Sequence, residues 1–170
     1  MNKMKRFHLI TMAVTAVLYI GSLIWFLIAY KSLDDQIGIH FDSQDFDVYA
    51  SKKFGFYPFV AGPVLTALLQ LSRFLSDKLK ESPKLTEEGN EKYRVLIKMY
   101  ADILTLIIAV FFTSWNWAVI KQNSYYHCQY FYSGLMTFIP LMMIALPVFD
   151  IVYKHKYKDP DYKKRKKAQR

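Results

Sequence analysis

Four long apolar blocks set the pattern of this chain. They cover about residues 7–30, 54–76, 99–120 and 130–153, with charged or polar segments between them. A soluble helix or strand alternates apolar with polar positions so that one face stays wet. These blocks are apolar all round. Each is about as long as a helix must be to cross a hydrocarbon core of roughly 30 Å. The pattern predicts an all-α fold, a polytopic membrane protein of four transmembrane helices. An ordered extracellular loop (31–53) follows the first helix, and a basic cytoplasmic tail (154–170) closes the chain.

The first block carries no charge between Phe7 and Tyr30. It follows Lys3, Lys5 and Arg6 as a signal peptide's apolar region follows its basic one. Its 24 residues exceed that region's usual length, and no small-x-small cleavage site comes after it. It is therefore expected to remain as an anchor. His8, Trp25 and Tyr30 sit near its ends, as interfacial residues do. In the second block Pro58 and Pro63 predict a distorted first half. Ahead of the third block, Thr86 with Glu87 and Glu88 behind it reads as a helix N-cap, its acids placed against the helix dipole. The fourth block contains Pro140 and Pro147.

An apolar share of 53% agrees with this reading. The net charge of +9 raises nucleic acid as a partner, but the cations lie in short segments beside the apolar blocks, as topology signals do. Of the Lys and Arg in the connections, seventeen fall on the side of the two termini and four on the other. Basic residues stay on the cytoplasmic side, which puts both termini inside and the 31–53 loop outside. Cys128 is the single cysteine, so an intrachain disulfide is excluded.

The outer loop concentrates potential ligands: five of the fourteen acids and one of the four histidines. His40, Asp42, Asp45 and Asp47 are acceptable ligand types for zinc or manganese, and the carboxylates alone for calcium. Their spacing matches neither an EF-hand loop nor a His-Glu-x-x-His helix, so no metal or cofactor is assigned. Ile37, Ile39 and Phe41 alternate with Gly38, His40 and Asp42, which predicts an extended segment, a short hairpin arm lying on the bundle. A second cluster lies near the cytoplasmic ends of the spans. Asp102 is the one charge inside the third span, Lys98 precedes it by one turn, and Arg73 falls at similar depth on the second. An intramembrane acid demands a partner. Either Arg73 or Lys98 neutralises Asp102 and holds two helices in register, or the acid serves proton or cation coupling. Lys163 to Lys167 in the tail would attract anionic lipid. No catalytic set stands out, and Cys128 beside His127 is not oriented as a nucleophile pair by adjacency alone.

The segment Leu33-Asp34-Asp35-Gln36-Ile37-Gly38-Ile39-His40-Phe41-Asp42, followed by Asp47-Val48-Tyr49-Ala50-Ser51-Lys52, resembles the membrane family of domain of unknown function 1648. That family places a similar pattern between its first two spans. The pattern runs roughly Leu-Pro-x-x-Ile-Pro-x-His-(Phe or Trp)-Asn, a Gly, then Asp-x-(Tyr or Trp)-Gly-Ser-Lys. Here Asp34 and Gly38 stand at the prolines, Asp42 replaces Asn, and the region around Asp45 is one residue short and lacks the glycine. The resemblance covers about residues 10–70 and implies kinship with SdpI-type immunity proteins. It marks His40, Phe41, Asp42, Asp47, Tyr49, Ser51 and Lys52 as a binding motif. The reading is a non-enzymatic cell-membrane protein whose outer loop senses or binds an external peptide or envelope component. Its partners would be membrane lipids and an extracellular peptide or another membrane protein, with no nucleic acid. The alternatives are a small transporter or transporter subunit working through Asp102 and, third, a membrane metalloenzyme using His40 and its acids.

Overall fold

The computed structural model describes residues 3–41, 46–121, 144–145 and 147–162. Helix α1 (Lys3–Ala29) leads into a two-stranded antiparallel hairpin, β1 (Gln36–Phe41) and β2 (Phe46–Ser51). One 3-10 turn, Lys52–Phe56, joins the hairpin to α2 (Tyr57–Leu75), and α3 (Glu87–Ile120) follows. These three helices, counted with their flanking turns, are long and apolar enough to cross a membrane. Beyond them, residues 147–156 are helical. Most of the expected fourth span, and residues 163–170 of the expected tail, lie outside the described residues.

The helices are built inside out relative to a soluble bundle. The buried positions of α1 are Thr11, Thr15, Ser22 and Phe26, recurring one or two turns apart along one seam. Ile10, Val17, Ile20 and Ile28 on its other faces are more than half exposed. In α2 the buried residues Pro58, Gly62 and Thr66 recur every four positions, while Val60, Val64 and Leu68 face outward. Small and hydroxyl residues at the contact let backbones approach, and apolar side chains turned outward need a lipid-like surrounding. α2 runs unbroken through Pro63.

Paired contacts define the arrangement. His8 meets Asp102, and Ser22 meets Asn116, both 94 residues apart in sequence. A constant offset means that α1 and α3 run parallel in register over about four turns, or roughly 21 Å. α2 runs against both: Tyr19 meets Thr66 near its middle, and Arg73 in its last turn meets Asp102. The expected N-cap is present, with the Thr86 hydroxyl accepting from the Gly89 N–H at 3.1 Å.

The all-α expectation is modified by the hairpin that the alternation at 37–42 pointed to. Its register pairs Gln36 with Ser51, Ile37 with Ala50 and Gly38 with Tyr49. It then slips at His40–Val48 and returns at Phe41–Phe46. Such bulges bend and twist a ribbon that would otherwise offer two flat edges. The hairpin is seated by Ile37, which is fully buried, and by Trp115 Nε1, which donates to the Ile39 carbonyl at 3.4 Å. Beneath it, Phe26 stacks edge-on against Tyr30 and Phe56 and tilts against Phe59.

Gly55 lies under this aromatic group. A methyl there would come within 2.6 Å of Phe26 Cε2, on a fully buried ring with no room to move. Gly55→Ala is therefore expected to destabilise the fold by about 1–3 kcal/mol, read as a lowered melting temperature in detergent. Gly21→Ala, where nothing lies within 4 Å of the added carbon, should leave the melting temperature unchanged or slightly raised.

Candidate functional site

Among the described residues two places concentrate groups able to do chemistry: a polar cluster between the three helices, and the hairpin.

Asp102 is fully buried. Its position follows from α3's inward stripe, which also carries Ala101, Thr105, Ala109 and Asn116. Each neighbouring helix sends a group to it. From α1, His8 Nδ1 lies 2.9 Å from Oδ1. From α2, Arg73 Nε is 3.3 Å from both carboxylate oxygens. Gln70 Nε2, one turn earlier on α2, donates to Oδ1 at 3.5 Å and to the Thr105 hydroxyl at 2.9 Å. A carboxylate in this setting stays ionised only when fixed donors replace its water, and a guanidinium is the one side chain certain to be charged there.

Of the two cations considered for Asp102, the structure selects Arg73. Lys98 is instead bonded to Asp77, just beyond the end of α2, at 2.5 Å. Side chains on a helix lean toward its N-terminus, so Lys98 reaches away from Asp102 and outward to the rim. His8 differs from its reading as an interfacial residue, because its ring turns inward onto Asp102. Beside the cluster a cavity of about 520 Å³ is lined by Lys5, His8, Arg73, Asp77 and Lys98. His8 and Arg73 thus connect its wall to the buried acid.

Farther along the same seam, Asn116, fully buried, donates to the Ser22 hydroxyl at 2.7 Å and the Ser22 carbonyl at 3.1 Å. Sequence reading missed Asn116, Ser22, Gln70 and Thr105. Their signal was a polar residue recurring on one face of an otherwise apolar helix, at 102, 105 and 116 on the third span.

In the hairpin, the backbone brings the motif's two halves together as paired strands. Asp42 and the side chains of His40, Phe41 and Asp47 lie outside the described residues, as does Asp45. Lys52 closes the hairpin base. Its N–H donates to the Asp35 carbonyl at 3.0 Å, its ammonium bonds the Asp35 carboxylate at 2.9 Å, and it sits 5.5 Å above the Tyr30 ring. The Lys52 hydrogen bond holds the Asp35 carboxyl below the usual carboxylate range. This tie is therefore complete above that range and is lost as pH falls through the lowered value. Val48 and Tyr49 on β2 are exposed, and so are Phe54 and Tyr57, whose rings stack at 5.3 Å. Among the described residues no group of three or more His, Cys, Asp or Glu is placed to hold a metal ion.

The chain matches no protein-family model, no curated protein and no solved structure. The resemblance of its hairpin segment to a known membrane family therefore rests on the residues quoted above.

Removing the acid leaves Arg73 and His8, both partly exposed to the neighbouring cavity, without their anion. Asp102→Ala is expected to cost about 1–3 kcal/mol, measured as loss of folded protein on heating in detergent. His8→Ala, at a partly exposed partner, should cost clearly less.

Proposed function

We propose that this chain is a non-enzymatic, multi-pass protein of the cell membrane whose outer hairpin binds an external peptide or envelope component. The reading takes four spans with both termini cytoplasmic, as the charge asymmetry requires. One observation carries it. The hairpin is seated on the bundle through Ile37 and Trp115 and closed at its base by the Asp35–Lys52 tie, while β2, the turn after it and the first residue of α2 present Val48, Tyr49, Phe54 and Tyr57 outward. A rigid base with exposed aromatic rings suits binding, because aromatic side chains supply large contact area at small entropic cost. The resemblance to SdpI-type proteins makes a secreted killing peptide the leading ligand class, with immunity as the outcome.

A second reading, a small transporter or transporter subunit, is favoured by Asp102 and the cavity that reaches its partners His8 and Arg73. Buried acids in membrane spans commonly mark proton or ion paths.

Val48→Ser with Tyr49→Ser leaves the seating residues untouched and should abolish protection of expressing cells challenged with a secreted killing peptide. A photo-crosslinking residue at position 49 should capture that peptide. Full protection and no cross-link, from protein shown to be inserted, would overturn the binding reading. For the transporter reading, Asp102→Asn in proteoliposomes should abolish proton-coupled flux, and undiminished flux would exclude coupling through this acid.

A further inference from the structure

The end of the bundle opposite the hairpin contains a pocket that neither reading uses. Its volume is about 620 Å³, and it lies between the connection before α3 and the segment 147–162. Lys84, Lys154, Lys158 and His155 line it together with Leu85 and Ile151, and among the described residues no carboxylate lines it.

The backbone assembles this cluster. Leu85 and Lys158 form an isolated antiparallel bridge. The Thr86 N–H donates to the Tyr157 carbonyl at 3.0 Å, and the Asp159 N–H donates to the Lys84 carbonyl at 2.9 Å. The bridge is locked from the α3 side. A carbon added to Gly89 would lie 2.8 Å from Tyr157 Cβ, so the two backbones are in direct contact, and the Tyr153 hydroxyl donates to the Gly89 carbonyl at 3.2 Å. Leu85 thereby lies opposite Lys158 and Lys84 opposite Asp159, which brings Lys84 and Lys158 to the wall of one pocket, with Lys154 four residues before Lys158. Lys154 is paired with Asp150 at 2.6 Å. Neither Lys84 nor Lys158 has an ion pair among the described residues. Cations lining one pocket repel one another, and an anion seated among them removes that repulsion.

The surroundings select the anion. Val148, Ile151 and Val152 are each more than half exposed on the helical segment, and the lysines begin at the next turn. This is the profile of a helix leaving hydrocarbon for the headgroup layer. Leu85, 6% exposed, forms an apolar floor to the pocket. We propose that this pocket binds the phosphate of an anionic phospholipid, with Lys84, Lys154 and Lys158 on the phosphate and an acyl chain along Ile151. By the charge count the lipid belongs to the inner leaflet. Basic pockets of this kind beside membrane helices capture anionic headgroups. The site is separate from the basic run Lys163 to Lys167.

The test is native mass spectrometry of the full chain released from nanodiscs of mixed phosphatidylglycerol and phosphatidylcholine. Wild-type protein should retain one phosphatidylglycerol preferentially. Lys84→Gln with Lys158→Gln should weaken that retention about 30-fold, taking the usual contribution of two basic groups near a membrane surface. Lys84→Arg with Lys158→Arg should restore it, and glutamine at 163 to 167 should leave it in place. Equal retention by wild type and the glutamine pair would overturn the proposal. So would delipidated protein binding inorganic phosphate as tightly as phosphatidylglycerol with the same lysine dependence, since the source would then be free phosphate. Loss of retention in the arginine pair would also count against it, because charge would not be the cause.

Discussion

Everything in the bundle is arranged around one carboxylate that cannot be left without partners. Asp102 sits on the third helix with no exposed surface, in a segment otherwise apolar enough for a membrane. A charge there is tolerable only if fixed donors replace its water. α1 supplies His8, and α2 supplies Gln70 and Arg73. Because each donor comes from a different helix or turn, the requirement fixes both the depth and the rotation of α1 and α2 against α3. The Ser22–Asn116 contact, with the same sequence offset as His8–Asp102, repeats the constraint about four turns away. Two polar contacts in register suit a membrane bundle, where apolar side chains gain little by preferring one another to lipid.

The two ends of the bundle then use different physics. At the hairpin end the seat is aromatic and close-packed. Phe26, Tyr30, Phe56 and Phe59 pack as rings around the space left by Gly55, and Ile37 drops into the group from above. Large rings need one another's faces and edges to pack well, so the seat is rigid while β2 stays open to its surroundings. At the opposite end the ties are polar and local. Asn90 takes the Ser82 N–H and returns its own amide to the Ser82 carbonyl, Lys98 holds Asp77, and the segment 147–162 is joined by one bridge and by hydrogen bonds of Tyr93 to Asp150, Lys92 to Tyr157 and Tyr153 to Gly89. That end is where cations accumulate.

A binding reading for the hairpin and a coupling reading for Asp102 make opposite demands. Binding at an outer element needs the bundle beneath it to hold still, and the Asp102 cluster helps to hold it. Coupling needs the same cluster to change partners. The cavity beside His8 and Arg73 gives the cluster an opening to one side. The donors around Asp102 come from two helices, α1 and α2, and meet it on a third, so a change of partner there would move whole helices.

The sequence by itself determined the elements that depend on local chemistry. Apolar block length gave the three long helices, Thr86 marked the start of α3, and the alternation at Ile37, Ile39 and Phe41 marked an extended arm. Such features arise within a few turns of the chain, so residue order is enough to read them. The single charge in the third span showed that Asp102 needs a partner, and Arg73 was one of two within reach. Only the tertiary structure decided between Arg73 and Lys98, turned His8 inward, and joined Gln70, Thr105, Ser22 and Asn116 to one polar seam. It alone brought Leu85 against Lys158 and set Lys84 and Lys158 on the wall of one pocket. These pairs lie between 29 and 94 residues apart or meet across separate elements. Which faces of two helices meet depends on the packing of all three helices together, and no local pattern carries that information.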